Sequence, residues 1–230
     1  MRKSPSAGAR AASARRRRSA RETPRIKPSR PRTRLPAAQR EELIIRAAMD
    51  LIAEKGFNAD TGELARRAGV SHGLVFRYFG NKEMLIERVY ERNFLARWAQ
   101  DWEVMLADRS VMLRDRLKAF YKSYLAVIDE YNWIRISMFS GLNGHGLTRR
   151  YIETFVEQVL TVIAQEVRHE RNPRSRARPT DDDIEIAWHL HSTFIYALIR
   201  RHVFGTRTLP DVDRHVDIVV DQFMDGALRR

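Results

Sequence analysis

Between Gly56 and Leu85 the chain reads GFNADTGELARRAGVSHGLVFRYFGNKEML. Its caps and glycines recur too closely for any helix of more than about two turns. Lys55-Gly56 closes a preceding helix, because glycine takes the left-handed conformation past a C-terminus without strain. Asp60 opens the next and makes a capping-box-like pair with Glu63, the Asp accepting backbone N–H groups and the Glu reaching back. Leu64, Ala65 and Ala68 face inward, Gly69 permits a turn, and Val70 packs beneath it. Ser71 caps a third helix that ends near Phe79 with Gly80 as its stop, and Asn81 caps a fourth. Two short helices across a tight turn, followed at once by another, make a unit built to lay one helix in the major groove of DNA.

The first helix is written from Pro36 onward. Proline is tolerated in a first turn, and Glu41 and Glu42 favour the positive end of the helix dipole. Ile44, Ala47, Ala48, Leu51 and Ile52 form one apolar stripe at i, i+3, i+4 spacing, and Phe57 plugs the base of the three-helix core. In the third helix Leu74, Val75, Tyr78 and Phe79 cannot all be surface residues, so several of them anchor it. That leaves Ser71, His72, Gly73, Phe76 and Arg77 to meet DNA, with Leu74 and Tyr78 beside them. Gly73 lets the backbone come close, Arg77 or His72 reaches phosphate or base edges, and Phe76 suits a thymine methyl. Lys82, opening the fourth helix, is placed for a phosphate, helped by that helix's N–H groups.

The stretch GF…ELARRAGVSHGLVFRYFGNKEML resembles the DNA-binding domain of the tetracycline-repressor (TetR/AcrR) family of bacterial regulators over roughly residues 37–90. The features that carry the likeness are AGVS, a glycine two after the Ser, an aromatic, and YF-G-x-K-E-x-L. The resemblance implies an all-α homodimeric repressor that binds double-stranded DNA at a palindromic operator. It also implies an N-terminal three-helix helix-turn-helix domain and a C-terminal helical domain for dimerisation and ligand binding. Three departures stand out. Asp60-Thr61-Gly62 replaces the common pair of threonines and a Val, with one loop residue fewer; Phe76 stands where Tyr is common, and Leu74 where Thr is frequent. Glycine in a first turn costs about 1 kcal/mol against Ala, which predicts a loosely started second helix.

Charge divides the chain. The formal net charge is +13, yet residues 1–36 hold thirteen Lys and Arg against the single acid Glu22, and residues 37–230 carry 29 basic and 28 acidic residues. The basic character thus belongs to a tail, residues 1–35, whose Ser, Ala, Pro and Arg content predicts disorder. Its Arg15–Arg18 run suits phosphates or a minor groove, or is simply solvated. The helix-turn-helix domain is expected over 36–83 and a regulatory domain over 84–230. The absence of Cys excludes disulfides and thiolate zinc sites and fits a reducing cytoplasm. No run approaches the ~18 apolar residues of a membrane span, and the basic N-terminus lacks the apolar segment of a secretory signal. The expected location is therefore bacterial cytoplasm, at the nucleoid when bound to DNA, with no membrane partner.

Beyond the reading head the pattern stays helical. The fourth helix is expected from Asn81 to about Ala107, with Leu85, Val89, Trp98, Trp102 and Met105 inside. Helices follow over Arg109–Glu130, Tyr131–Ser140 and Leu147–Arg171, with SGLNGHG (140–146) as a break and RNPRSRARPT (171–180) as a basic loop. Acids at Asp181–Asp183 suit the start of a helix ending near Arg201, and a last helix spans about Asp211–Leu228. Ile184, Trp188, Ile195 and Leu198 on the first of these, with Val212, Val216, Val219 and Phe223 on the second, predict a four-helix interface between two copies. Trp102, Tyr121, Tyr124, Trp133, Phe139, Tyr151, Phe155 and His191 are candidates for a ligand cavity, although such a stripe suits a plain core equally. Few charges lie on the inward stripes, so the expected effector is small, mostly apolar or aromatic, with one or two hydrogen-bonding groups. Its binding would shift the dimer toward a state whose heads no longer match successive grooves.

Catalysis finds no support in the motifs. His189 and His191, two apart, point different ways on a helix, and His191 and His202 lie some ~16 Å apart by helical rise. No nucleophile–base arrangement, phosphate loop or HExxH appears, so neither metal nor cofactor is expected. The alternative that keeps the fold is a constitutive architectural DNA binder without a sensor, with the arginine tail supplying affinity.

Overall fold

The computed structural model describes residues 36–98 and 101–227, and the regular elements among them are helical throughout. The Arg-rich tail and the expected end of the last helix at Leu228 lie outside the described residues. Helix α1 (Ala37–Lys55) buries Ile44, Ile45, Ala48, Met49, Leu51, Ile52 and Ala53. It packs on α2 (Thr61–Ala68) and α4 (Lys82–Asn93), while α3 (His72–Phe79) is held against α2 and α4. Pro36 occupies the cap position rather than the first turn, and Glu42 lies beyond that turn. Glu42 instead takes Arg46 at 2.9 Å and Arg92 of α4 at 3.0 Å, tying the two helices.

The second helix starts firmly. Asp60 accepts from the N–H groups of Gly62 and Glu63 at 3.0 and 3.2 Å. A Cβ on Gly62 would stand 3.0 Å from the Asp60 carboxylate, so the glycine makes room for the cap that secures it. Glu63 does not reach back as the capping-box reading expects. Lys55 at 2.7 Å and Arg67 at 3.0 Å claim its carboxylate, and Arg67 also grips Glu54 with both terminal nitrogens.

The fourth helix does not run to Ala107. It ends at Asn93, a tight turn spans Leu95–Arg97, Trp98 is extended, and α5 (Trp102–Ala107) is a separate element. A straight helix would keep Phe94, Trp98 and Trp102 on one stripe. The break lets Phe94 enter among Tyr90, Trp133 and Tyr151, while Trp98 meets Trp102 edge-on and lies against Phe155.

Five further segments complete the body. Helix α6 (Leu113–Ile128) starts later than expected because Asp108 turns the chain by accepting from the Ser110 N–H and hydroxyl. Helix α7 (Tyr131–Asn143) passes through Gly141 and is stopped only by Gly144 and Gly146, both left-handed. Helices α8 (Leu147–Tyr151) and α9 (Glu157–Arg171) form one run joined by a π-helical turn at Ile152–Val156. Helix α10 (Asp181–His202) opens with a reciprocal capping box between Thr180 and Asp183, and α11 (Val212–Ala227) follows. Helix α11 lies on α6 and α10, α10 on α9 and α7, and α5 on α6 and α9; α1 is seated on α7.

Two ion-pair clusters tie distant segments. Glu166 of α9, 5% exposed, takes the Arg116 guanidinium of α6 at 2.8 Å and that of Arg109 at 2.8 Å. Burial opposes ionisation of Glu166, but the two arginines outweigh it and hold its carboxyl below the usual range. Asp129, past the end of α6, accepts from Arg201 and, at 2.6 Å, from His202 of α10. Among the described residues no helix is long and apolar enough to cross a membrane, and no three His, Asp or Glu side chains gather as a metal site.

Candidate DNA-binding face and internal cavity

Helix α3 has two unlike sides. Val75 and Phe79 are sunk in the core, Leu74 and Tyr78 are half-buried, and Ser71, His72, Gly73, Phe76 and Arg77 are exposed together. The turn before it is made by Gly69, left-handed at φ +66°, whose N–H reaches back to Ala65 and Arg66. Nothing lies within 4 Å of a Cβ built on Gly73, so the backbone there is open to a close approach from outside. Ser71 holds the cap position in extended conformation, but its hydroxyl makes no capping bond. Asn81 does cap α4, accepting from the Met84 N–H at 2.8 Å.

Two of the candidate groups are already engaged. His72 Nε2 bonds Thr61 Oγ1 at 2.9 Å, and its ring meets Phe76 edge-on with centroids 4.9 Å apart. This clips the start of α3 to the start of α2. Lys82 is half-buried, with Nζ 3.5 Å from the Ala59 carbonyl. The Arg77 guanidinium makes no hydrogen bond or ion pair among the described residues.

A cavity of about 350 Å³ lies among α6, α7, the α8–α9 run and α10, partly open to solvent along α10 where Ser192 and Tyr196 are exposed. Of the aromatic candidates, Tyr124, Trp133, Tyr151 and His191 line it. The other four lie elsewhere. Trp102 is buried with its Nε1–H donating to Ser123 Oγ at 2.9 Å. Tyr121 stacks on Phe194 at 4.4 Å, and Phe155 packs on Trp98. Phe139 turns the opposite way, onto Gly56 at the end of α1. The remaining walls come from residues the aromatic pattern did not single out. On α7 these are Ile134, Ser137 and Met138, and along the second run Thr148, Ile152 and Val156. Thr148, Ile152 and Val156 recur at i, i+4 along one side of the run, and the π turn at Ile152–Val156 carries that row past Tyr151.

Helix α10 supplies the outer wall with Trp188, Ser192, Ile195, Tyr196 and Ile199. Trp188 and Ile195, read from sequence as interface residues, thus also line the cavity, and Ile184, Val212 and Phe223 are half-buried. Leu198 (4% exposed), Val216 (0%) and Val219 (9%) are part of this chain's own core, where α11 closes on α6 and α10. Their spacing matched a seam, but the seam they fill is internal. The apolar surface that stays outside is instead Tyr196, Phe204 and Ile218.

The cavity and the reading head share a helix. On one side of α7, Trp133, Ile134, Ser137 and Met138 face the cavity. On its other side Asn132 donates to Asp50 at 2.7 Å, Arg135 Nε to the Ala53 carbonyl, and Phe139 covers Gly56, all on or ending α1. Phe57, expected at the base of the three-helix core, is buried with its ring 4.2 Å from that of His145 beyond α7.

Residues 44–89 match the sequence pattern of bacterial regulatory proteins of the tetR family. An HTH-type transcriptional repressor of Mycobacterium tuberculosis is 40% identical over 68 residues, which span 28% of this chain and 36% of that protein. The match thus covers about a third of the length of its curated relatives. A TetR family transcriptional regulator from Pseudomonas syringae pv. tomato superposes with a TM-score of 0.61 at 19% identity, over 84% of this chain and 97% of that one. The fatty acid degradation regulator FadR from Bacillus halodurans does so with a TM-score of 0.60 at 15% identity, over 80% and 94%. These likenesses carry the all-helical fold through both halves of the chain.

Proposed function

From the match of residues 44–89 to the tetR family of bacterial regulatory proteins we propose that the chain is a member of that family and a sequence-specific DNA-binding transcriptional repressor. In this reading two copies bind a palindromic operator and release it when a small, mostly uncharged molecule occupies the cavity. The observation that carries it is the two-sided α3, anchored by Val75 and Phe79 and offering Ser71, His72, Gly73, Phe76 and Arg77 together to solvent. Arg77 takes base edges or phosphate, Gly73 admits the backbone, Phe76 meets a thymine methyl, and Lys82 turns from the Ala59 carbonyl to a phosphate. Leu74 and Tyr78 form the margin of the contact.

Pairing of two copies is supported by the outer apolar surface of Tyr196 on α10, Phe204 just past its end and Ile218 on α11, with half-buried Ile184, Val212 and Phe223 on the same two helices. Release follows from α7. A molecule that pushes on Trp133 or Met138 moves the same rigid helix that holds α1 by Asn132, Arg135 and Phe139, so the two heads lose their match to successive grooves.

Selection of bound sequences from a random duplex pool at near-physiological salt tests this. The expected outcome is a two-fold palindrome with half-sites about 34–36 Å apart along the helix. A pool without sequence preference, bound with a steep salt dependence, would replace this reading by an architectural DNA binder.

A further inference from the structure

The polar groups around the cavity differ in what they leave unsatisfied. Ser137 Oγ donates to the Trp133 carbonyl at 2.8 Å, and Thr148 Oγ1 donates to the Ser137 carbonyl at 2.9 Å. The Tyr124 and Tyr151 hydroxyls stand 3.5 Å apart and serve each other weakly. Ser192 and Tyr196 are exposed to solvent, and His191 is the buried exception. It is 5% exposed, and its Nδ1 finds no hydrogen-bond partner among the described residues. Its ring is framed by Tyr124 at 5.6 Å and Trp188 at 5.8 Å, both of them wall residues. A buried imidazole nitrogen without a partner is costly, and the ring that carries it lines a space that can hold a molecule able to hydrogen-bond it.

Charge narrows the class. Among the described residues no Lys, Arg, Asp or Glu lines the cavity. An ion seated against His191 loses much of its hydration and gains no counter-charge, which disfavours anions and cations alike. Burial pushes His191 down to about 4, so near neutral pH the imidazole has no positive charge to offer a carboxylate. A neutral imidazole presents one donor and one acceptor, and a hydroxyl satisfies whichever of the two faces the cavity.

We propose that the cavity binds an uncharged phenol, its rings held between the aromatic and aliphatic walls and its hydroxyl hydrogen-bonded to His191. This rests on the reading of the chain as an effector-released regulator and gives that effector a chemical class.

The test is calorimetric titration of the full-length protein near neutral pH with four probes of one shape: 2-naphthol, 2-methylnaphthalene, 2-naphthoate and trimethyl(2-naphthyl)ammonium. The expected order has 2-naphthol at least about tenfold tighter than either ion and about tenfold tighter than the methyl compound. In His191→Phe the preference of naphthol over methylnaphthalene disappears while methylnaphthalene binding is kept. Either ion matching naphthol, naphthol binding undiminished in His191→Phe, or none of the four binding overturns the proposal. The comparison among probes on the unmodified protein stands even where the variant does not fold. DNA binding is followed separately on the same samples. If naphthol fails while a selected operator is bound, only the ligand class falls; if the unmodified protein binds no operator, the regulator reading itself falls.

Discussion

A Cβ built on Gly56 would stand 3.0 Å from Cδ1 of Phe139. The glycine that ends the first helix of the reading head is therefore also the surface on which α7 rests. Gly56 holds φ +79°, which favours glycine, so its small size serves the turn and the contact together. A helix fixed at that point on one side and lining a cavity on the other is where ligand and DNA affinities would meet.

Gly56→Ala should destabilise the fold by about 1–3 kcal/mol, combining left-handed strain with a ring that must shift. Urea unfolding measures it. Phe139→Ala should open the same junction without the backbone strain, and in titrations it should weaken the effect of ligand on operator affinity more than operator affinity itself. Operator affinity responding to ligand as fully as in the parent would remove α7 from the coupling.

On the reading face the expected losses are unequal. Arg77 has no other partner to lose, so Arg77→Ala should weaken operator binding at least about tenfold with stability changed by no more than about 0.5 kcal/mol. Lys82→Ala removes a phosphate contact, lowering affinity for all sequences alike and flattening the salt slope by about one unit. Filter binding across a salt series separates the two. An Arg77→Ala protein that binds like the parent would mean that α3 is not the reader.

What the sequence made legible was local. Asp60, Gly69, Gly80 and Asn81 act within a turn of themselves, so the elements of the head could be placed from spacing alone. The cavity was legible only in part, because lining depends on how far each helix is rotated. Tyr151 and Phe155 share a spacing and both pack on Trp98, yet of the two Tyr151 alone lines the cavity. Phe139 belongs to the same aromatic pattern as Trp133 but faces α1 across its helix. The Arg116–Glu166 pair joins residues fifty positions apart and leaves no local signal.

That pair carries its own expectation. Glu166→Gln strips the counter-charge from Arg116, 4% exposed, and breaking such a buried pair typically costs about 3–5 kcal/mol. The double change Arg116→Met with Glu166→Leu should recover much of it, since no buried charge is then left unmatched. Chemical denaturation of the two proteins and the parent gives the comparison; equal stability of Glu166→Gln and the parent would show that Arg116 finds another partner.

His191 ties stability to pH. Burial lowers it from 6.5 to about 4, so between those values the unfolded chain binds a proton that the folded chain refuses. Stability therefore rises with pH across that window, is complete above about 6.5, and is lost as pH falls toward 4. The full span corresponds to roughly 3 kcal/mol. Carboxylates such as Glu166, held below their usual range, add their own loss at the lower end of the same titration. The quantity to read is thus the difference between the parent and His191→Phe. The variant keeps a ring of similar shape and cannot take up the proton, so its melting temperature should fall less than the parent's between pH 6.5 and 4. Bound 2-naphthol should steepen the parent's dependence, because a ligand that hydrogen-bonds the neutral imidazole holds it further from protonation. Parallel curves for parent and variant would mean that the imidazole reaches water or a carboxylate when it charges, and that its burial is not maintained.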